Sequence, residues 1–139
     1  MTDFRLATQD DAPALAEMNR CLIQDEGHRN AISLDQLTER MRRWLEAEYQ
    51  AVMFYEEQQL VGYALFKHEP EWIYLRQFFI CRDRRRQGLG RAAIEWLSAN
   101  LSADRSRLRL DVLVNNSAGI AFWTSLGFTD YCLTMERAC

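Results

Sequence analysis

The stretch FICRDRRRQGLGR, from Phe79 to Arg91, decides the fold. It begins at the end of an apolar run that starts at Trp72, and Leu89 opens a new run of apolar residues at helical spacing. The stretch therefore joins a buried strand to a helix through a loop with two glycines. Such a junction directs unpaired backbone N–H groups to one place, where the helix dipole adds about half a positive charge. With the neighbouring arginines, it predicts a binding site for a diphosphate.

Outward from this stretch, apolar periodicity predicts six strands and four helices. The strands are Phe4–Ala7, Ala51–Tyr55, Leu60–Phe66, Trp72–Ile80, Arg107–Val114 and Phe128–Arg137. Strict alternation along Trp72–Ile80 puts Tyr74, Arg76 and Phe78 on one face and Leu75, Gln77 and Phe79 on the other. Because both faces are largely apolar, we expect this strand in the centre of the sheet. The helices begin near Asp11, Ser33, Leu89 and Asn116, and Ser33 with Gln36 forms a capping box.

The resulting order, β-α-α-β-β-β-α-β-α-β, predicts one α/β domain over residues 1–139. Its sheet is mixed and mostly antiparallel, with helices on both faces. The chain has 139 residues, of which 48% are hydrophobic and 27% charged, a composition that excludes long disorder and fibrous folds. No apolar run reaches membrane-spanning length and no secretion signal opens the chain, so we expect a cytoplasmic protein without membrane contact.

Charge and cysteine spacing limit the function classes. The net charge of −3 argues against a general nucleic-acid binder, although five arginines crowd into residues 82–91. The four cysteines lie far apart and form no CxxC pair, so we expect no metal site.

Three interpretations of the glycine loop compete. In the first, the glycines make a turn and the arginines are a solvated face. In the second, the sequence from Gly88 to Ala93 fits the GxGxxA pattern of dinucleotide sites, with Asp111 as the ribose-binding acid. That site needs a shorter loop and a βαβ unit, whereas this helix follows an antiparallel hairpin. The third interpretation is a coenzyme A site.

Two motifs carry that third interpretation. The segment from Arg85 to Gly90 resembles the R/Q-x-x-G-x-G/A signature of the GNAT superfamily of N-acyltransferases. The segment from Asn116 to Phe128 resembles that family's second block, an Asn followed by a helix that ends in Gly-Phe. The predicted element order is similar to the GNAT fold along nearly the whole chain. The resemblance implies transfer of an acetyl group from acetyl-CoA to a small-molecule or peptide amine.

The resemblance also implies which residues bind coenzyme A. The backbone of the glycine loop would hold the pyrophosphate, through Arg86, Gln87, Gly88, Leu89, Gly90 and Arg91, with Arg84 and Arg85 as further phosphate partners. The main chain of Phe78, Phe79 and Ile80 would pair with the pantetheine arm, and the Phe78 N–H would polarise the thioester carbonyl. Asn116, Gly119, Phe122 and Trp123 would line the arm from the other side, and Asn116 can also cap its helix.

Two positions depart from the family pattern. Gly119 stands where the family often has Ala, a change that lets the coenzyme lie closer. Trp123 stands where many members have a Tyr that protonates the departing thiolate, and an indole N–H is not a usable acid. Tyr131 is a candidate substitute.

The acceptor side is less sharply defined. Relatives often carry a Glu or His base on the strand before the signature, where this chain offers Tyr74 and Arg76 as pocket residues. We expect Asp25 and Glu26, on the loop after the first helix, to attract a cationic amine, with Glu26 or His28 relaying its proton. Acidic residues in such loops are as often simply solvated.

Two rival functions stay open. A catalytically silent acyl-CoA sensor is compatible with the missing Tyr and the missing strand Glu. A nucleic-acid module that uses the arginine cluster is the third hypothesis, and it predicts strongly salt-dependent binding. Homodimers are common among GNAT relatives, so the resemblance also implies a dimer as one state of this chain.

Overall fold

A computed structural model describes residues 2–27, 32–101 and 107–139. Five strands form one sheet in the order β1-β2-β3-β4-β5. The strands are β1 (Thr2–Leu6), β2 (Tyr49–Glu56), β3 (Gln59–His68), β4 (Trp72–Ile80) and β5 (Arg107–Arg109). The helices are α1 (Ala12–Asp25), α2 (Leu34–Glu46), α3 (Leu89–Leu101) and α4 (Ser117–Ser125). Strands β1 to β4 pair antiparallel and β5 runs parallel to β4, which confirms the mixed, mostly antiparallel sheet.

Helices cover both faces of the sheet, as the sequence predicts, and the structure places two on each face. On one face, Leu89, Ala93 and Leu97 of α3 pack on Val52, Phe54 and other strand residues, and α4 contributes Trp123 and Leu126. On the other face, Leu15 of α1 and Met41 of α2 pack on Met53, Tyr63 and Leu65. The capping box at the start of α2 is present, because Gln36 N donates to Ser33 Oγ over 3.1 Å and Gln36 Oε1 accepts from Ser33 N over 3.0 Å.

A bulge in β4 changes the predicted alternation. Leu65 pairs with Gln77 but the next residue, Phe66, pairs with Leu75, so Arg76 is an extra residue without a partner on β3. One extra residue reverses the face of every residue beyond it. Phe78 therefore lies on the same face as Leu75, and not with Tyr74 as strict alternation predicts.

Three other expectations about strands are wrong. The middle strand is β3, because β4 has only the short β5 on its outer side. The predicted strand Arg107–Val114 ends at Arg109. The segment Phe128–Arg137 is not a strand, although its apolar residues alternate. Tyr131, Leu133 and Met135 are 68–82% exposed, since β5 is too short to provide an edge for them.

Two searches of the described residues bear on function class. No helix there is long and apolar enough to cross a membrane. No group of three or more His, Cys, Asp or Glu side chains in that part of the chain is arranged to hold a metal ion.

Candidate functional site

An opening lies between β4 and β5. The two strands pair only through Trp72, Ile73 and Tyr74, and β4 then continues for six residues to Ile80. Along those six residues, all except the bulged Arg76 stay paired with β3 on the other side of β4. No strand of the described chain pairs with the β5-facing edge of β4 beyond Tyr74, so its backbone polar groups face the opening.

Hydrogen bonds at the end of β4 show which groups face that opening. Cys81 N donates to Val61 O on β3 over 2.8 Å. Backbone groups of successive residues in a strand point to opposite sides, so Phe79 points to β3 while Phe78 and Ile80 point to the opening. The carbonyl of Ile80 already accepts from Arg85 Nε over 2.8 Å. The N–H groups of Phe78 and Ile80 are therefore the donors directed at the opening.

The loop after β4 carries a row of unpaired donors. Arg85 N donates within the loop and Ala92 N donates to Gly88 O, but no backbone acceptor in the described residues serves the six N–H groups of residues 86–91. Positive φ angles at Arg86 (64°) and Gly88 (79°) turn the chain sharply before α3. Nothing lies within 4 Å of the position that a Cβ would occupy at Gly88, so an anion can approach the main chain there.

Most arginine side chains of the loop bond to the protein. Arg84 donates to Gln59 Oε1 over 2.6 Å, and Arg91 donates to Ser125 O at the end of α4 over 3.1 Å. Arg82 and Arg85 both donate to Asp25. In the described structure the backbone of residues 86–91 thus provides donors that are free of protein partners, while the role of Arg84 and Arg85 as phosphate partners stays a prediction.

Gly90 has a packing role that the sequence does not reveal. A Cβ at this position would lie 2.8 Å from Cζ of Phe122 on α4, well inside contact distance. Phe122 packs in turn on Phe78 and Trp123, with ring centroids 6.2 and 4.8 Å apart, and the Trp123 ring lies 5.3 Å from that of Phe78. These aromatic side chains form one wall beside the Phe78 backbone.

At the start of α4, the Asn116 side chain acts as the N-cap. Its Oδ1 accepts from Gly119 N over 3.0 Å. A Cβ at Gly119 would lie 2.5 Å from the amide nitrogen of Asn116, so glycine here makes room for the cap. The closer approach of the coenzyme that the sequence analysis expects at Gly119 stays a prediction. The cap leaves the Nδ2 group of Asn116 available for a second contact.

The sequence also matches a protein-family model. Residues 15–128 match the model of the acetyltransferase (GNAT) family. The chain belongs to the GNAT acetyltransferase family. Among curated proteins its sequence has no significant match, so the remaining comparisons are with solved structures.

The GNAT fold is confirmed by solved structures that cover almost the whole chain. A possible acetyltransferase from Clostridium difficile 630 superposes with a TM-score of 0.82 at 18% identity, covering 100% of this chain and 99% of its own. The ribosomal-protein-alanine N-acetyltransferase from Brucella melitensis biovar Abortus 2308 gives 0.79 at 18% identity, with 100% of both chains covered. A predicted acetyltransferase with acetyl-CoA from Clostridium acetobutylicum gives 0.79 at 17% identity, covering 99% and 96%. At these identities the comparisons establish the fold alone.

Asp25, which the sequence predicts to attract a cationic amine, bonds to two arginines of the glycine loop. Its two oxygens accept from Arg82 and Arg85, and the Arg82 contact measures 3.0 Å. Partial burial acts to raise the pKa of Asp25, but the hydrogen bonds from Arg85 and Arg82 outweigh it and lower that pKa. The ion pairs tie the end of α1 to the loop, so the Asp25 charge is already compensated. Glu26 is exposed beside it, and His28 lies outside the described residues.

Tyr74 and Tyr131 lie near the paired end of β4 and β5. The Tyr74 hydroxyl donates to Asp111 over 2.8 Å, and burial followed by this bond raises its pKa to about 12. The predicted strand Arg107–Val114 includes Asp111, but in the structure Asp111 lies beyond the end of β5. The Arg109 guanidinium lies between the Tyr131 and Trp72 rings, 4.2 and 4.0 Å from their centres. Trp72 begins β4, about 20 Å along the strand from Phe78, so the structure does not bring Tyr131 to the Phe78 N–H.

Residues that sequence analysis missed lie between β4 and helices α1 and α2. The buried Tyr63 hydroxyl donates to Gln77 over 2.7 Å, directly before Phe78 in the chain. Burial raises the pKa of Tyr63, so its hydroxyl stays protonated. Asn19 of α1 is 1% exposed and bonds to Arg40 of α2. The only sequence signal for Asn19 is a polar residue that follows Leu15 and Met18 at helical spacing.

Proposed function

We propose that this GNAT chain transfers an acetyl group from acetyl-CoA to a primary amine by direct attack on the thioester. The observation that carries the proposal is the row of six unpaired N–H groups at residues 86–91, which follows the Phe78 and Ile80 donors along the chain. The first set fits a diphosphate and the second fits an extended amide-bearing arm that ends in a carbonyl. Both sets share the edge of one strand and the helix that follows it.

The chain's own groups would then act as follows. The Phe78 N–H donates to the thioester oxygen as negative charge develops there, and the aromatic wall of Phe122 and Trp123 excludes water. The amine nitrogen forms a bond to the carbonyl carbon, the C–S bond breaks, and the thiolate takes a proton from solvent. Protonating a thiol of pKa near 8.5 at pH 7 is favourable by roughly 2 kcal/mol, so Trp123 in place of an acid is tolerable.

Deprotonation of the amine is the costlier step. An alkyl amine of pKa about 10.4 loses its proton at pH 7 at a cost of roughly 4.6 kcal/mol, whereas an α-amine near 7.8 costs only about 1. Glu26 is our proposed relay for that proton. It is exposed at the end of α1, and its negative charge is one cause of the raised pKa of the buried Tyr63 of β3, which supports this role. His28 and Tyr131 stay predictions.

The proposed diphosphate-binding loop at residues 86–91, here called the cradle, is tested by a matched pair of glycine variants. Gly88 and Gly127 both have positive φ, 79° and 94°, and both have open space at the Cβ position. Gly88→Val and Gly127→Val therefore carry similar backbone strain, but only the first fills the space beside the unpaired N–H groups. Calorimetric titration with acetyl-CoA should show loss of binding in Gly88→Val and wild-type affinity in Gly127→Val. If Gly88→Val is unfolded by circular dichroism, Gly88→Ala replaces it, and equal affinity in both variants contradicts the cradle.

Catalysis is tested separately from binding. A panel of small-molecule and peptide amines, with release of free thiol as the readout, should reveal at least one acceptor that accelerates thiol release. Tight acetyl-CoA binding with no acceptor at all would favour the silent sensor instead. The homodimer implied by the resemblance stays a prediction, which light scattering can test.

A further inference from the structure

Two guanidinium groups approach one indole ring on the face of the sheet that α1 and α2 cover. Arg40 of α2 and Arg76 of the β4 bulge approach the same ring, with their central carbons 4.5 and 4.9 Å from the centre of Trp44. Those distances place the two cations less than 10 Å apart. Arg76 also donates to the Tyr49 hydroxyl over 3.3 Å. Because the bulge exposes Arg76 while Arg40 is partly buried, the pair spans from the protein interior to solvent.

The charge of this pair is not compensated within the described structure. Neither Arg40 nor Arg76 takes part in the ion pairs found among the described residues. Burial lowers the pKa of Arg40, and the charge of Arg76 followed by that of Arg43 lowers it further. Like charges held together in a partly buried place raise the free energy of the site, and a bound anion would relieve it.

Two buried donors of the same site also lack an acceptor. Asn19 Oδ1 accepts from Arg40 Nη2 over 2.9 Å, which joins α1 to α2. Asn19 Nδ2 and Arg40 Nε are both buried, and neither has a hydrogen-bond acceptor in the part of the chain that the structure describes. Buried donors are nearly always paired in native proteins. Among the described residues neither arginine forms an ion pair with a carboxylate, so these two unpaired donors and two cations together make a donor set that fits an anion.

The position of the pair relates it to the proposed reaction. Arg76 is two residues before Phe78, whose N–H faces the opening, so their backbones lie about 7 Å apart. The residue between them, Gln77, is held by the buried Tyr63 hydroxyl. Arg40 lowers and Glu26 raises the pKa of this Tyr63, so both charges act on the residue that holds Gln77.

We propose that the amine acceptor also carries a carboxylate, and that Arg40, Arg76 and Asn19 bind that carboxylate. The proposal rests on the acyl-transfer function proposed above and names its acceptor class: amino acids or short peptides with a free carboxyl group. It excludes polyamines and other purely cationic amines, which the two guanidinium groups repel. It also differs from the expectation that Asp25 attracts a cationic amine, since Asp25 is already paired with two arginines.

Matched substrates and matched variants test the proposal. Each L-amino acid is compared with its own carboxamide, and β-alanine with O-phosphoethanolamine, by thiol release from acetyl-CoA. We expect kcat/KM at least tenfold higher for the free acids than for the amides, and for β-alanine than for the phosphate. Arg40→Met and Arg76→Met should raise KM for the acids at least tenfold with kcat nearly unchanged. Arg42→Met, an exposed arginine of the same helix, should leave both constants unchanged.

A binding measurement covers the case in which no acceptor of the panel is used. N-acetyl-L-amino acids, the products of this acceptor class, should shift the Trp44 indole signal in a ¹⁵N NMR spectrum of the acetyl-CoA-free chain, and their carboxamides should not. Failure of the two proposals is distinguishable. Loss of acetyl-CoA binding overturns the acyl-transfer function, whereas amides, polyamines or O-phosphoethanolamine used as well as amino acids overturn only the carboxylate site. A Trp44 signal that no N-acetyl-amino acid shifts also overturns it.

Discussion

The contact between Gly90 and Phe122 gives the sharpest energetic prediction. A Cβ built on Gly90 lies 2.8 Å from Phe122 Cζ and 3.0 Å from Cε1, where carbon atoms at rest lie about 3.5–4.0 Å apart. In Gly90→Ala the ring must move by about 1 Å, but it is held by Phe78 and Trp123. Overpacking of this kind costs about 1–3 kcal/mol, and the helix preference of Ala returns about 0.5–1 kcal/mol. We expect a net loss of about 1 kcal/mol of unfolding free energy.

A double-mutant cycle isolates that contact. Phe122→Leu removes the ring tip that the Cβ meets. In that background, Gly90→Ala should not lower the free energy of unfolding and should raise it by the helix preference of Ala. The coupling free energy should be about 1–2 kcal/mol, measured by urea unfolding with unchanged slope. Gly88→Ala provides the control, because its Cβ meets nothing and Phe122→Leu should not change its cost. Additivity of Gly90→Ala and Phe122→Leu within about 0.5 kcal/mol would refute the packing role of Gly90.

Three further variants test single interactions. The hydrogen bonds from Arg85 and Arg82 hold the pKa of Asp25 below its ordinary 3.8, so its stabilising charge is present above that pH. Asp25→Asn should therefore destabilise by about 0.5 kcal/mol at pH 7, and the difference should vanish as the pH falls through the lowered pKa in acid-unfolding curves. Tyr74→Phe should remove the tyrosine that ionises near pH 12 in a spectrophotometric titration. Ser33→Ala should lower the unfolding free energy by about 1 kcal/mol, and Ser33→Asp should restore most of it.

Local periodicity predicts the fold well where each element satisfies its own pattern. The helix that starts after Gly88, the capping box at Ser33 and the hairpin of β2 and β3 all follow from spacing and turn residues. The strand at Phe128–Arg137 fails because alternation indicates a strand only if a neighbouring strand provides an edge, and β5 ends at Arg109. Pairing partners are distant in the chain, so a local pattern does not encode them.

In the candidate site, too, the sequence predicts some features and misses others. Backbone donors are predictable, because a strand, a glycine loop and a helix in that order leave N–H groups unpaired wherever they occur. Side-chain partners are not. No local pattern indicates that Arg84 and Arg85 bond to Gln59 and Asp25, which are 25 and 60 residues away in the chain, and their role as phosphate partners stays a prediction. Only the packed structure shows that arginines of the loop bond to the end of α1 and to the start of β3.

The bulge at Arg76 affects both proposed sites, the one for the thioester at Phe78 and the one for the acceptor carboxylate at Arg76. Had β4 alternated strictly, Phe78 would lie with Tyr74 on the face of α1 and α2, away from the aromatic wall of α4. The extra residue turns the Phe78 side chain to that wall and its N–H to the opening, while leaving the Arg76 side chain exposed beside Trp44. A single inserted residue thus sets both where an acyl group would be polarised and where an acceptor carboxylate would be held. Substitution of residue 76 should accordingly change the acceptor preference of this chain without loss of acetyl-CoA binding, because the proposed diphosphate-binding loop follows Ile80 in the chain.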